Sequence, residues 1–224
     1  MSKHFERAME ELKRKILMLG GTVEESLWRA VQSVIQHEDA VAAEVIQNDD
    51  AIDRAEVEVE EECLKVLALY QPVAADLRFI IATLKINNDL ERVGDLAVNI
   101  AKKSAKLIVH DALSAPVDIH DIAATARRML RESLDALVGM DSALARKVMV
   151  SDDAVDRLNS ELRRRIKDEI RRTPERLDTL LLWLNICRHI ERVADQATNI
   201  AEDVIYLVDG DIVRHRPIED GSAA

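Results

Sequence analysis

Aromatic side chains are scarce, with two Phe, two Tyr and two Trp among 224 residues, and only six Gly and four Pro accompany them. Sheets draw on aromatic and β-branched residues and their tight turns on Gly and Pro, so this shortage speaks against a β-rich fold. The two cysteines, Cys63 and Cys187, sit in apolar helical stripes with no Cys-x-x-Cys pair, which predicts reduced core thiols. No apolar run approaches the roughly 20 residues needed to cross a bilayer. The start, Met1-Ser2-Lys3-His4-Phe5-Glu6, lacks the apolar core of a signal peptide. A cytoplasmic protein without direct membrane insertion is expected. Lys and Arg number 31 against 42 Asp and Glu, for a net charge of −11. Nucleic-acid affinity rests largely on phosphate neutralisation, so no nucleic-acid partner is expected. The basic clusters Arg163-Arg164-Arg165 and Arg171-Arg172 point in several directions on a helix and read as a solvated face, with a local contact to an anionic partner as the lesser reading.

What the chain does contain is Ala, Leu, Ile, Val, Glu, Asp, Arg and Lys in abundance, the composition of long helices, and it contains them twice. Glu91-Arg92-Val93-Gly94-Asp95-Leu96-Ala97-Val98-Asn99-Ile100-Ala101 returns as Glu191-Arg192-Val193-Ala194-Asp195-Gln196-Ala197-Thr198-Asn199-Ile200-Ala201. Upstream, Asp49-Asp50-Ala51-Ile52-Asp53 returns as Asp152-Asp153-Ala154-Val155-Asp156. One unit is used twice, so the fold class is all-α: two tandem, pseudo-twofold-related three-helix bundles with six long helices. Three- and four-residue apolar spacing places the helices near Phe5 to Val34, Asp39 to Leu69, Ala74 to Val109, Asp118 to Val138, Ser142 to Arg172 and Pro174 to Val208. Asp39 is the expected cap of the second helix. Gly20-Gly21 falls inside the first, which predicts a close helix crossing or a bend there. The bundles should occupy 1–112 and 113–210, joined near Pro116 and set end to end, with 211–224 a loose tail.

Acidic residues at helical spacing in both copies are the candidate chemistry. Residues four apart share a helix face, so Asp49 with Asp53 and Glu91 with Asp95 point the same way. The second and third helices run antiparallel about a turn near Gln71-Pro72. Asp53 stands about 18 residues before that turn and Glu91 about 20 after it, with Asp49 and Asp95 about one helical turn further out. All four should be level. Asp152, Asp156, Glu191 and Asp195 repeat the arrangement about Thr173-Pro174. Like charges so placed destabilise a helix by a few tenths of a kcal/mol per pair. A patch used twice therefore asks for a cation, a partner or nearby Arg such as Arg92 and Arg192. Oxygen ligands suit Mg²⁺, Mn²⁺, Fe or Ca²⁺, with Zn²⁺ also admissible, and a merely solvated acidic face is the competing reading. Asn99 and Asn199 continue the face; Asp50 and Asp153 lie about 100° off it and belong to solvent or an outer layer.

The chain offers little of the machinery of an enzyme. No Glu-x-x-His of a di-iron oxidase is present, nor a phosphate-binding Gly-rich loop, a Gly-x-Ser-x-Gly elbow or a His-Glu-x-x-His. His189 is about 200° from Glu191 on a helix and reads as a surface or packing residue. No catalytic residue and no organic cofactor site is assigned. The runner-up reading is a metal-dependent hydrolase or a metal-storage protein using the same carboxylates.

Met18-Leu19-Gly20-Gly21, the hairpin Gln71-Pro72-Val73-Ala74-Ala75-Asp76-Leu77-Arg78, and the two Glu-Arg-Val-x-Asp segments with their trailing Asn-Ile together resemble the PhoU family. The resemblance spans nearly the whole chain. It implies two three-helix bundles, a homodimer, and a non-enzymatic negative regulator of the phosphate-starvation response and of phosphate uptake. It also implies protein contacts linking the ATPase subunit of a phosphate ABC transporter to a phosphate-sensing histidine kinase, peripheral to the inner membrane. Multinuclear iron or other divalent metal binding would fall on Asp49, Asp53, Glu91 and Asp95, and on Asp152, Asp156, Glu191 and Asp195. Two departures stand out: the second hairpin has Arg176-Leu177-Asp178 in place of Asp-Leu-Arg, and Gly94 becomes Ala194.

Overall fold

A computed structural model describes residues 3–109 and 117–213, and every regular element within them is helical. The expected joint at Pro116, the 112/113 boundary and most of the tail lie outside the described residues. The first half contains α1 (Lys3–Gln36), α2 (Asp39–Gln47), α3 (Asp49–Tyr70) and α4 (Ala74–Val109). The second contains α5 (His120–Gly139), α6 (Ser142–Arg172) and α7 (Leu177–Asp209), with Pro174–Arg176 forming a 3₁₀ turn before α7. Each half is a three-helix bundle if α2 and α3 count as one broken rod, and the apolar stripes read from the sequence line its core. In α1, for example, Leu12, Ile16, Leu19, Val23 and Leu27 are all buried.

The break between α2 and α3 corrects the expectation of one rod from Asp39 to Leu69. Asn48 closes α2 through its N–H to the Glu44 carbonyl at 3.0 Å, while its own carbonyl accepts from Ala51 N at 3.1 Å, a three-residue step that restarts the helix. Asn and Asp compete with the helix backbone through their short side chains, and Asn48-Asp49-Asp50 concentrates them. In the second half the equivalent residue is Ser151, whose hydroxyl donates back to the Lys147 carbonyl at 3.0 Å, and α6 runs on unbroken. Nor does Asp39 cap α2: it lies in the first turn, Glu38 occupies the cap position, and no side-chain bond is made there. The Asp141 carboxylate does cap α6, accepting from Leu144 N at 2.9 Å.

The halves lie side by side rather than end to end. The most extensive helix–helix interface in the described structure is α4 against α7, across the halves. Lys85 of α4 meets Asp203 of α7 at 3.1 Å, and near the other end Lys103 acts on His189, so the two helices are antiparallel and level near residues 95 and 195. Alanines at 97, 101, 197 and 201, all fully buried, keep both rods slim enough for such an approach. The pair α1 and α5 is antiparallel too, with Gly20 against Leu134 and, further along α1, Glu24 against Arg127, as an approximate twofold between the halves requires. One hydrophobic core runs through both. α1 passes Gly20-Gly21 without a break. A Cβ at Gly20 would come within 3.0 Å of Leu134 on α5, whereas one at Gly21 would meet nothing; the first glycine serves the close crossing.

Gly94 explains a difference between the copies. A Cβ there would stand 3.1 Å from Ile52 Cγ2 and 3.3 Å from its Cδ1. In the second half the equivalent pair is Ala194 and Val155, both fully buried, so one methyl group has moved from the α3-type helix to the α4-type helix at constant total carbon count. Gly94→Ala alone should destabilise, because crowding of about 1–3 kcal/mol outweighs a propensity gain near 1 kcal/mol. Adding Ile52→Val recreates the second half's pair. A double-mutant cycle by urea unfolding should return a favourable coupling of about 1 kcal/mol, and strict additivity would contradict this account of the packing.

Candidate functional site

Each half presents one acidic patch where two helices of a hairpin face each other. Asp49 and Asp53 sit at the start of α3, and Glu91 and Asp95 on the middle of α4. Asp152 and Asp156 sit in mid-α6, with Glu191 and Asp195 on α7. Asp49, Glu91, Asp152 and Glu191 are half-buried and their four companions reach solvent. The hairpin brings the carboxylates within electrostatic range across the helix pair, as the residue counting anticipates. Burial first, then the charges of Asp53 and Asp95, pushes Asp49 above the usual carboxylate range. Glu91 is raised by burial and by Asp95, Asp53 and Glu56. In the second half burial and then Asp195, Asp156, Asp153 and Glu191 raise Asp152 from 3.8 to about 6. Glu191 is raised by burial, Asp195 and Asp156, and Asp195 by burial and Asp156.

What marks these eight carboxylates is the closeness of other acids across a helix pair with no cation between them. Ion pairs at 4.0 Å or less neutralise many of the others, such as Glu10 with Lys13 and Asp168 with Arg171, yet none of the eight has a Lys or Arg that close among the described residues. Lys102 near Asp49, Arg92 near Glu91 and Arg163 near Glu191 relieve the repulsion only from a distance. Burial and acidic neighbours raise Asp49, Glu91, Asp152, Glu191 and Asp195 with no cation close by, which makes the two patches the candidate functional site.

The patches differ in one respect that the repeat conceals. Glu56 follows Asp53 by three residues and is held by the Asn87 side-chain amide, which donates to the Glu56 carbonyl at 3.0 Å and to its Oε1 at 3.1 Å. Its pKa is raised by burial, Glu60 and Asp53, so it is a fifth carboxylate of the first patch. Comparing copies hides it, because the equivalent residue is Asn159; extending the helical spacing one step past Asp53 would find it. Asp50 and Asp153 are exposed, as their angular position predicts, and Asn99 and Asn199 are half-buried one turn beyond Asp95 and Asp195. His189 packs half-buried beside Lys103, its pKa lowered by burial first and then by Lys103, Arg192 and Arg188. Cys63 and Cys187 are free, buried thiols, each pushed up to about 12, chiefly by burial.

An all-oxygen donor set of this charge suits a hard cation. As they stand, no three acidic, histidine or cysteine side chains among the described residues converge closely enough to hold an ion. The donor chemistry fits a metal, and holding one would require the carboxylates to draw closer together than they stand.

The PhoU domain family matches residues 16–104 and 119–204, one match in each half. The chain belongs to the PhoU family. It is 36% identical over 214 residues to the phosphate-specific transport system accessory protein PhoU homolog of Aquifex aeolicus, covering 96% of this chain and 97% of that protein. To PhoU homolog 1 of Thermotoga maritima it is 34% identical, covering 98% and 96%. The crystal structure of PhoU from Pseudomonas aeruginosa superposes with a TM-score of 0.89 at 34% identity, over 92% of this chain and 100% of that one. The phosphate transport system regulatory protein PhoU from Streptococcus pneumoniae gives 0.86 at 29% identity, over 93% and 99%. No helix among the described residues is long and apolar enough to cross a membrane.

Proposed function

We infer that this PhoU-family chain is a non-catalytic negative regulator of phosphate uptake and of the phosphate-starvation response. It works as a cytoplasmic homodimer through protein contacts between the ATPase subunit of a phosphate ABC transporter and a sensor histidine kinase, with divalent or iron cations on its two acidic patches. Full-length similarity to proteins named as accessory to phosphate-specific transport carries the regulatory part. The eight carboxylates without a close cationic partner support the metal part, since bound cations would relieve the repulsion that burial and proximity create. A cation would also let a strongly acidic surface engage an anionic group, phosphate included, which the bare patches repel.

The decisive experiment for the regulatory role is deletion of the gene in a strain carrying a reporter for phosphate-starvation expression. Reporter output in phosphate-rich medium should rise to the level of starved cells and fall again when the intact gene is returned. Output that stays low in the deletion strain would refute this reading.

A further inference from the structure

Of the chain's two tryptophans, Trp183 is fully buried, but Trp28 is 36% exposed. It lies in a groove of about 310 Å³ where α1 of the first half crosses α5 of the second. Leu27, Val31 and Ile35 of α1 make the apolar wall, and α5 contributes His120, Arg127, Arg128 and Arg131. The Arg127 guanidinium stacks on the Trp28 ring at 4.3 Å, which holds the indole in place. Among the described residues Glu24 lies 3.5 Å from Arg127 and 3.3 Å from Arg131, and Asp121 lies 4.0 Å from His120. Arg128 is exposed and forms no ion pair among the described residues. On a chain of net charge −11, this is a concave site of the opposite sign.

Trp, Arg and branched aliphatic side chains gathered in a pocket are the composition of an interface hot spot. The stacked Trp28–Arg127 pair needs little reordering to bind, which lowers the entropic cost of association. The excess of positive charge selects the occupant. We propose that the α1–α5 groove docks an acidic segment of a partner protein, its apolar side chain seated against Trp28 and Ile35 and its carboxylates on Arg128 and Arg131. The proposal rests on the reading of this chain as a regulator that acts by protein contact, and it names the surface and the chemistry of the contact. Because the groove is built from one helix of each half, an occupant would also clamp the halves together.

The test is a titration of the full chain with a short capped peptide carrying a Leu-Leu pair flanked by Glu and Asp, followed by tryptophan emission and calorimetry. Binding should shift the emission of Trp28 and weaken about tenfold when salt is raised well above physiological strength. It should also weaken about tenfold in Arg128→Glu, an exposed change that should leave the helical circular dichroism and melting temperature as in the parent. Trp28→Phe should abolish the emission change, since Trp183 lies in the core.

Four results would overturn the proposal. One is no binding, and a second is equal binding of the peptide with Lys in place of its acids. A third is the same emission change with inorganic phosphate alone or with phosphatidylglycerol vesicles, which would make the groove an anion or lipid site. The last is sedimentation showing that a second copy of the chain already covers Trp28. The titration reads binding alone, so its failure would leave the regulatory reading to the deletion experiment.

Discussion

Saturating Mn²⁺ or Fe²⁺ should stabilise the metal-free chain by about 3 kcal/mol for each occupied patch, the mass-action gain at roughly a hundredfold excess over Kd. For a chain of this size that is a rise of about 10 °C or more in melting temperature with both patches filled. The gain originates in repulsion already present without metal. Asp152 is shifted from 3.8 to about 6, so the folded chain holds its proton more tightly than the unfolded chain does. A carboxylate raised in this way costs nothing below the unfolded value, where both states are protonated, and costs its full amount above about 6, where both are ionised. Stability from this group therefore falls as pH rises between about 4 and 6. Half-exposed as it is, the carboxylate should cost about 1–2 kcal/mol at neutral pH after allowance for solvent screening. Urea unfolding of metal-free Asp152→Asn should show that much extra stability at pH 7.5 and a difference that closes as the pH approaches 4. The same variant should lose most of the metal-induced gain of the second patch. A variant no more stable than the parent at any pH, with an undiminished response to metal, would show that Asp152 belongs to no such patch.

Lys85→Met should destabilise the protein by about 2 kcal/mol, less than loss of one member of a fully buried ion pair costs, because Lys85 is partly screened by solvent. Asp203 is almost wholly enclosed, at 2% side-chain exposure, while Lys85 keeps 39% and approaches it at 3.1 Å. The ammonium also lies 5.2 Å from the ring centre of Tyr206, so the loss includes a cation–π contact worth about 0.5–1 kcal/mol. The pair joins α4 to α7 and so ties the halves together; its repeat-related positions are Asn185 and Lys103, which cannot form an ion pair. Lys85→Arg, which keeps the charge, should restore most of the loss. A cost below about 1 kcal/mol for the methionine variant would show that the interface does not depend on this bridge.

The helices and the level placement of the carboxylates were legible because both follow from spacing. Apolar periodicity marks the face of a rod, and counting outward from Gln71-Pro72 or Thr173-Pro174 sets the height of residues on an antiparallel pair. Three features escaped for separate physical reasons. The break at Asn48 depends on a local contest between an Asn side chain and the helix backbone, which Ser151 resolves the other way. Side-by-side packing of the halves depends on which faces of α4 and α7 meet, and both helices carry buried residues on more than one face, so periodicity does not choose. The Trp28 groove is assembled from helices about a hundred residues apart in sequence, and in α1 alone Trp28 reads as one more residue beside an apolar stripe. Glu56 was within reach but fell to reliance on the repeat, since duplication reveals what the copies share and hides what one copy has gained.

Everything proposed for the acidic patches depends on their holding cations. Elemental analysis of anaerobically purified protein, beside a variant carrying Glu91→Gln, Asp95→Asn, Glu191→Gln and Asp195→Asn, measures this directly. More than one metal ion per chain is expected in the parent and none in the variant, whose helical content should be unchanged. Absence of metal from both proteins after incubation with Fe²⁺, Mn²⁺ or Zn²⁺ would contradict this expectation, and would leave the patches as solvated faces on a regulator that works by protein contact alone.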